Sequence, residues 1–295
     1  LKALFSELEF RNFASRVFGK DEAVKDENAG GEEGPSGSDL FSSAGVEVEE
    51  TKMLTLADVA HHYELADTPE KIKELARKLG KAQAFCFDTE TTGLDANDTE
   101  LVGIAFSMEK HAAFYVPIPE NYQEALEVLA AFKPVMENDR IGKIAQNMKF
   151  DMAVLRWYDI EVRGELFDTM IAHYLIEPDL RHNMDFLAET YLGYKPVPIE
   201  ELIGPKGKNQ LSMRNVSLPK IREYACEDAD ITLQLKEVFE PMLEETGTMK
   251  LFREIEMPLV PVLASMEAEG VKLETSALED FSDQLRDDII ELEKQ

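Results

Sequence analysis

Four acidic side chains stand where the local pattern calls for apolar residues. Asp88 and Glu90 close the run AFCFDTE at 84–90. Residues two apart on a strand point to one face, so Cys86, Asp88 and Glu90 share a side while Phe85 and Phe87 take the other. Asn147, Asp151, Val154 and Tyr158 recur at spacings of 4, 3 and 4, one stripe of a helix. Ile221, Tyr224, Asp228, Ile231 and Leu235 step 3, 4, 3 and 4 along a longer helical segment, with Asp228 where leucine is expected. Its neighbours Glu227 and Asp230 point elsewhere and read as ordinary solvated acids.

Each acid alone has an ordinary explanation. The strand could simply reach solvent before the Thr92–Gly93 turn, Asp151 could favour a helix macrodipole, and Asp228 could be satisfied by backbone donors. Four inward-facing acids on three elements ask for more, because a buried carboxylate without compensation is costly or shifts its pKa until neutral. Oxygen ligands without histidine or thiolate select Mg²⁺, Mn²⁺ or Ca²⁺ over a closed zinc site. Four carboxylates can hold two cations about 4 Å apart, the arrangement that clamps the attacking and leaving oxygens in phosphodiester cleavage.

The elements that must position these acids follow from periodicity. Thr68–Pro69 reads as an N-cap with proline at the first helical position, leading IKELARKL. The apolar run at 84–90 is a buried strand, and LVGIAFSM (101–108) and AAFYVPI (112–118) make an antiparallel meander. A helix is expected within 121–137, a buried strand at 141–147 and a helix over 148–158. Helical periodicity then dominates at 168–176, 184–192 and Pro219 to about Glu245, with a loop at 204–207. The pattern predicts an α/β fold, a mixed sheet flanked by helices.

The chain of 295 residues carries 59 acidic and 31 basic residues, a formal charge of −28. That balance excludes a broadly basic, phosphate-coating mode of nucleic-acid binding. Binding through metal ions, which invert the local charge, or through a local basic rim stays open. Residues 21–50 hold ten acids, one base, five glycines and four serines. Such a segment cannot bury enough apolar surface to offset its ordering entropy, so a flexible, disordered acidic linker is expected. Residues 1–18 place Leu4, Phe5 and Leu8 at helical spacing in a stretch too short to fold alone. Cys86 and Cys226 lie far apart, which argues against a disulfide framework and for a reducing, cytoplasmic setting. No apolar run approaches the roughly 18 residues of a membrane span, so no membrane partner is expected. Both ends read as cut from something longer.

DTET at 88–91, QNMKFD at 146–151 and YACED at 224–228 resemble the three motifs of the DEDD exonuclease superfamily, in the subtype with tyrosine in its third motif. FDTETTGL, IAQNMKFD, FDTMIAHYLI, GKNQL at 207–211, YACEDADITLQL and EIEMPLVPVL follow in the order found in the 3′-5′ proofreading domains of bacterial DNA polymerase I. The resemblance covers about residues 67–295. LKALFSELEF is similar to the last helix of a preceding 5′ nuclease domain, and EMPLVPVLASMEAEGVKLE to the start of a polymerase domain. It implies four parts: the end of a 5′ nuclease domain (1–18), a linker (19–66), the exonuclease domain (67–247) and the beginning of a polymerase domain (248–295).

The resemblance further implies a ribonuclease-H-like fold and 3′-5′ removal of terminal nucleotides from single-stranded or frayed DNA. Its cofactors are two divalent ions, Mg²⁺ or Mn²⁺, with Zn²⁺ an option at one site. By motif match, Asp88, Glu90 and Asp228 hold the ion that activates the attacking water, and Asp88 with Asp151 holds the second. Tyr224, with an ordinary pKa near 10, suits orienting water better than deprotonating it. Leu94 matches an apolar wedge against the terminal base. Asn147 contacts the terminal nucleotide or orders the second motif, and Arg181, Lys206 and Lys208 are candidates for backbone phosphates. Ile199 stands where relatives carry a stacking phenylalanine; base–aromatic stacking contributes about 1–3 kcal/mol per base, so single strands could bind more weakly here. Expected partners are a single-stranded 3′ end and the polymerase and 5′ nuclease domains of the same full-length protein, which is otherwise a monomer. Two other functions share these features: a catalytically weak spacer or single-strand-binding module, and an RNA-directed exonuclease of the same superfamily.

Other features carry less. GPKGK at 204–208 lacks the Walker spacing and its Ser/Thr. His61 and His62 sit at the linker's end and read as solvated without partners. His111, His173 and His182 show no metal spacing, and His173 reads as a core histidine. Trp157 reads as packing, and Cys226 as a small buried residue.

Overall fold

The computed structural model describes residues 53–207 and 210–294; the expectations for residues 1–52 and for Lys208 lie outside the described residues. Six strands, β1 (His62–Leu65), β2 (Ala84–Thr91), β3 (Leu101–Glu109), β4 (Ala112–Pro117), β5 (Gly142–Ala145) and β6 (Leu166–Asp168), form one mixed sheet in the order β1-β4-β3-β2-β5-β6. β3 and β4 are the expected antiparallel meander and β2 joins antiparallel to β3, while β5 adds parallel to β2, β6 parallel to β5 and β1 parallel to β4. β1 falls inside the segment read as linker. HYEL is too short and polar to announce a strand, and it is recruited by pairing with the edge of β4. β6 was hidden at the start of an expected helix, because three residues carry no period of their own.

Helix α1 (Pro69–Leu79) starts as its residues dictate: the Thr68 side chain accepts from the Lys71 N–H, Pro69 occupies the first turn, and Ile72, Leu75 and Leu79 face the core. The helix expected within 121–137 is present and short. α2 (Tyr122–Leu129) is capped by Asn121, and a single turn follows at Lys133–Met136, begun by Pro134. Pro134 lacks an N–H and cannot continue a helix from the preceding turn. The parallel crossover from β5 to β6 is made by α3 (Met148–Arg156), and α4 (Thr169–Ile176) leaves β6 directly.

The long helix α5 (Leu218–Glu245) lies across β3, β4 and β2 and also against α4. Ala225, Cys226 and Ala229 are fully buried, and their small size lets the helix approach the sheet closely. This double cover overturns the expectation for Glu227 and Asp230, which are 0% and 2% exposed. Asp230 accepts hydrogen bonds from the Tyr63 hydroxyl (2.9 Å), the His111 N–H (2.8 Å) and the Gln234 amide (2.9 Å), tying β1 and the β3–β4 turn to the helix. Glu227 accepts from the Tyr194 hydroxyl and from the Val197 N–H at 2.9 Å. A single helical stripe was the wrong template for a helix enclosed on two sides.

The histidines are also more engaged than expected. His61 lies 3.2 Å from Glu223 and His62 2.8 Å from Glu64, so neither is without a partner. His173 is a core histidine, with Nδ1 2.7 Å from His182 Nδ1 and Nε2 2.9 Å from the Tyr191 hydroxyl. Burial and the adjacent His182 push its pKa down to about 4. Trp157 is half-exposed, and its indole donates to the Ala96 carbonyl across the β2–β3 loop. Beyond α5 the polypeptide continues as α6 (Met257–Glu269) against α3 and then α7 (Thr275–Glu293). No helix among the described residues is long and apolar enough to cross a membrane.

Gly103 makes one close approach possible. It pairs with Glu90 across β2 and β3, and a Cβ there would lie 2.0 Å from the Tyr115 hydroxyl oxygen and 2.2 Å from its ring. Tyr115 is fully buried and cannot swing away. Gly103→Ala should therefore destabilise the domain by about 1–3 kcal/mol or more, seen as a lower urea midpoint; an unchanged midpoint would mean the ring is not held there.

Candidate active site

The end of β2 aims two carboxylates at one side of the sheet. Asp88 and Glu90 share a face, and a register shift follows Glu90 where β2 pairs with β3. Such irregularities re-aim side chains at the end of a strand. α5 crosses the same face and presents Asp228, which is 8% exposed. Carboxylate oxygens of Asp88, Glu90 and Asp228 all lie within 4.8 Å of one another. Glu90 is 6% exposed, and its Oε1 has no hydrogen-bond partner.

Asp151 stands outside this trio but beside it. It sits in the first turn of α3 and is buried, with Oδ1 accepting from the Thr89 N–H (3.2 Å) and hydroxyl (2.5 Å). Thr89 lies between Asp88 and Glu90, so the strand itself fixes the fourth acid. The start of α3 is set by Asp168, a buried residue at the end of β6. Asp168 accepts from the backbone N–H groups of Asn147 (3.2 Å), Met148 (2.7 Å), Met170 (2.9 Å) and Ile171 (3.3 Å). It caps α4 and holds the β5–α3 turn, where Asn147 is left-handed at φ 61°. Asp168, Thr89 and Glu227 were not singled out as site residues. Asp168 had a legible signal, an acid at a strand–helix junction followed by threonine; the other two depend on tertiary contacts.

The electrostatics are one-sided. Burial pushes Asp88 up to about 7. Glu90, Asp151 and Asp228 are held well above the carboxylate range, first by burial and then by the charge of Asp88. Oxygen-only donors, mutual repulsion and an unpartnered buried carboxylate oxygen are what a hard divalent cation would relieve, so the donor set fits such an ion. The Tyr224 hydroxyl is turned to Asp228, and burial plus the Asp228 charge push its pKa far above the ordinary phenol value. It stays protonated at neutral pH.

The other expected residues differ in exposure. Leu94 is 92% exposed on the β2–β3 loop, which is braced by Thr91 Oγ1 donating to the Gly93 carbonyl (2.8 Å) and Gly93 N–H donating to Thr99 Oγ1 (2.8 Å). Asn147, Arg181 and Lys206 lie exposed, and Ile199 is partly buried against the core. A cleft of about 330 Å³ that Tyr224 lines on one side is formed with Val197, Leu202, Pro219 and Arg222.

A carboxylate cage at the end of a central strand, closed by a helix, offers the donor set of a divalent-cation site. Residues 63–244 match the family described as 3′-5′ exonuclease. Over 305 aligned residues, spanning all of this chain, the sequence is 32% identical to DNA polymerase I of Pseudomonas aeruginosa, of which it covers 31%. It is 36% identical over 220 residues to DNA polymerase I of Borreliella burgdorferi, covering 73% of this chain and 24% of that protein. The chain thus spans about a third or less of these relatives. Among solved structures, NrnC of Brucella melitensis with bound Mg²⁺ superposes with a TM-score of 0.55 at 22% identity, covering 72% of this chain and 95% of that one. RNase D of Escherichia coli gives 0.56 at 17% identity, covering 70% and 51%. At such identities these two speak for the fold alone. The chain belongs to the 3′-5′ exonuclease family, and its ribonuclease-H-like α/β fold is the one expected.

The raised carboxylates fix the sign of a pH effect. Between the unfolded value near 4 and the folded value of about 7 for Asp88, the native state holds more protons than the unfolded chain, so stability falls as pH rises. In EDTA at pH 7.5, Asp228→Asn should be at least about 1 kcal/mol more stable than wild type, while Mg²⁺ should raise the melting temperature of wild type much more than that of the variant. A variant less stable than wild type in EDTA, or a wild type indifferent to divalent ions, would contradict this electrostatic account.

Proposed function

We propose that this domain hydrolyses the 3′-terminal phosphodiester of single-stranded or frayed DNA as the proofreading part of a cytoplasmic DNA polymerase I. The observation that carries the reading is the trio of half-buried Asp88 and buried Glu90 and Asp228, with ligand oxygens within 4.8 Å and Glu90 Oε1 unpartnered. Asp88, Glu90 and Asp228 would hold one divalent ion and Asp88 with Asp151 a second, Mg²⁺ or Mn²⁺ being the ions that suit hard oxygen donors. When bound, such ions supply a nucleophile at neutral pH and neutralise charge on the phosphate. Tyr224, kept protonated, orients the attacking water by hydrogen bond and does not take its proton. Leu94, projecting from its braced loop, presses on the terminal base, and Asn147 lies at the turn leading into α3. Ile199 offers apolar contact without an aromatic face, so the terminal nucleotide is held less by stacking than by the cage. Arg181, Lys206 and Lys208 supply local positive charge to a strand that the protein as a whole repels. Residues 248–295 are read as the start of the polymerase domain.

A 5′-labelled single strand incubated with the protein and Mg²⁺ or Mn²⁺ should shorten one nucleotide at a time from its 3′ end, and EDTA should stop it. Asp228→Ala should lower kcat/KM by about 10³-fold or more, and Tyr224→Phe by about 10²-fold. Undiminished cleavage by Asp228→Ala would sink the assignment. Preference for an RNA strand in direct competition would move it to an RNA-directed exonuclease.

A further inference from the structure

Glu227 is a buried acid next to the cage that, like Asp168 and Asp230, has no part in the proposed chemistry. It adjoins Asp228 in sequence, is 0% exposed, and its charge adds to the repulsion on Asp228. A fifth carboxylate in this place works against the cage unless it does something else. Its two oxygens are both occupied: one accepts from the Tyr194 hydroxyl, the other from the Val197 N–H at 2.9 Å. Both partners belong to the segment that runs on through Pro198 and Ile199 into the helical turn Glu200–Ile203. Val197, Glu201 and Leu202 of that segment form one wall of the cleft of about 330 Å³ whose other wall is Pro219, Lys220, Glu223 and Tyr224 of α5. Tyr194 is itself paired outward, as a bridge to Leu54.

We propose that Glu227 is a positioning residue for substrate: it clamps the 194–203 wall onto α5, setting the width of the cleft in which the 3′ end lies beside Tyr224. The inference rests on the substrate reading above. The wall has little regular structure to stiffen it, being a loop and one helical turn. Without Glu227 the Val197 N–H and Tyr194 hydroxyl lose their shared acceptor, and Ile199 and Leu202 lose their fixed distance from Tyr224. Glutamine can keep both bonds, its carbonyl accepting from the Val197 N–H and its amide donating to the Tyr194 oxygen. Alanine can keep neither.

The sign of the effect separates a clamp from a charge. Removing one negative charge near a polyanion tightens binding, and alanine and glutamine remove it equally. The clamp predicts opposite behaviour for the two. Fluorescence anisotropy with a labelled single-stranded DNA and Ca²⁺ should show Glu227→Ala binding roughly tenfold more weakly than wild type, Tyr194→Phe a few fold more weakly, and Glu227→Gln within about twofold of wild type. Turnover with Mg²⁺ should show the alanine loss mainly in KM, with kcat changed less than about threefold. Thermal unfolding on the same samples identifies a variant that does not fold; if Glu227→Ala is lost that way, Tyr194→Phe and Glu227→Gln decide. Equal or tighter binding by Glu227→Ala, or by Tyr194→Phe, would overturn the clamp, as would a glutamine variant as weak as alanine. A wild type that binds the strand but never cleaves it would remove the exonuclease reading and leave the clamp standing on the binding data.

Discussion

Carboxylates held within a few ångströms of one another in a poorly solvated pocket repel strongly, and the architecture around Asp88, Glu90 and Asp228 is organised to hold them there all the same. Two of them ride on a central strand, at positions paired with Ala105 and Gly103 of β3, so they cannot retreat. The third rides on a helix brought close by Ala225, Cys226 and Ala229. The protein tolerates this repulsion because the surrounding core is large: Phe85, Phe87, Phe106 and Tyr115 are fully buried in the same sheet. Stability gained from that burial offsets a cage that a divalent ion would otherwise have to neutralise.

The remaining polar groups near the cage divide by what they hold. Asp168 spends its carboxylate on four backbone N–H groups and thereby fixes where α3 begins, which decides where Asp151 points. Asp230 ties β1 and the β3–β4 turn to α5, so the sheet edge and the helix bearing Asp228 form one unit. Glu227 reaches the opposite way, to the loop that walls the cleft. Three buried acids outside the cage thus serve as joints between its supports, each satisfied by donors where Glu90 Oε1 in the cage has none.

Much of this was legible in the sequence, and the reasons differ by element. β2, the β3–β4 meander, α1, α3 and α5 were readable because each carries a long period of its own or a capping residue. The four cage acids stood out because each breaks an apolar stripe, and the family motifs agreed. β1 and β6 were not legible, since three or four residues acquire strand character only from a neighbour's edge. Glu227 and Asp230 were misread because a one-stripe template assumes that the far side of a helix meets water, and α5 has structure on both sides. Their partners, Tyr63, His111, Tyr194 and Val197, are brought in from other parts of the sequence, which no local spacing reveals.

The central claim is that these side chains grip a pair of divalent ions, and electron paramagnetic resonance of the Mn²⁺-loaded protein addresses it most directly. The account predicts two Mn²⁺ per protein molecule with a spectrum showing spin coupling between ions about 4 Å apart, lost on Asp88→Asn because that residue would serve both. Uncoupled Mn²⁺ at full loading, or a coupled spectrum that survives Asp88→Asn, would contradict it.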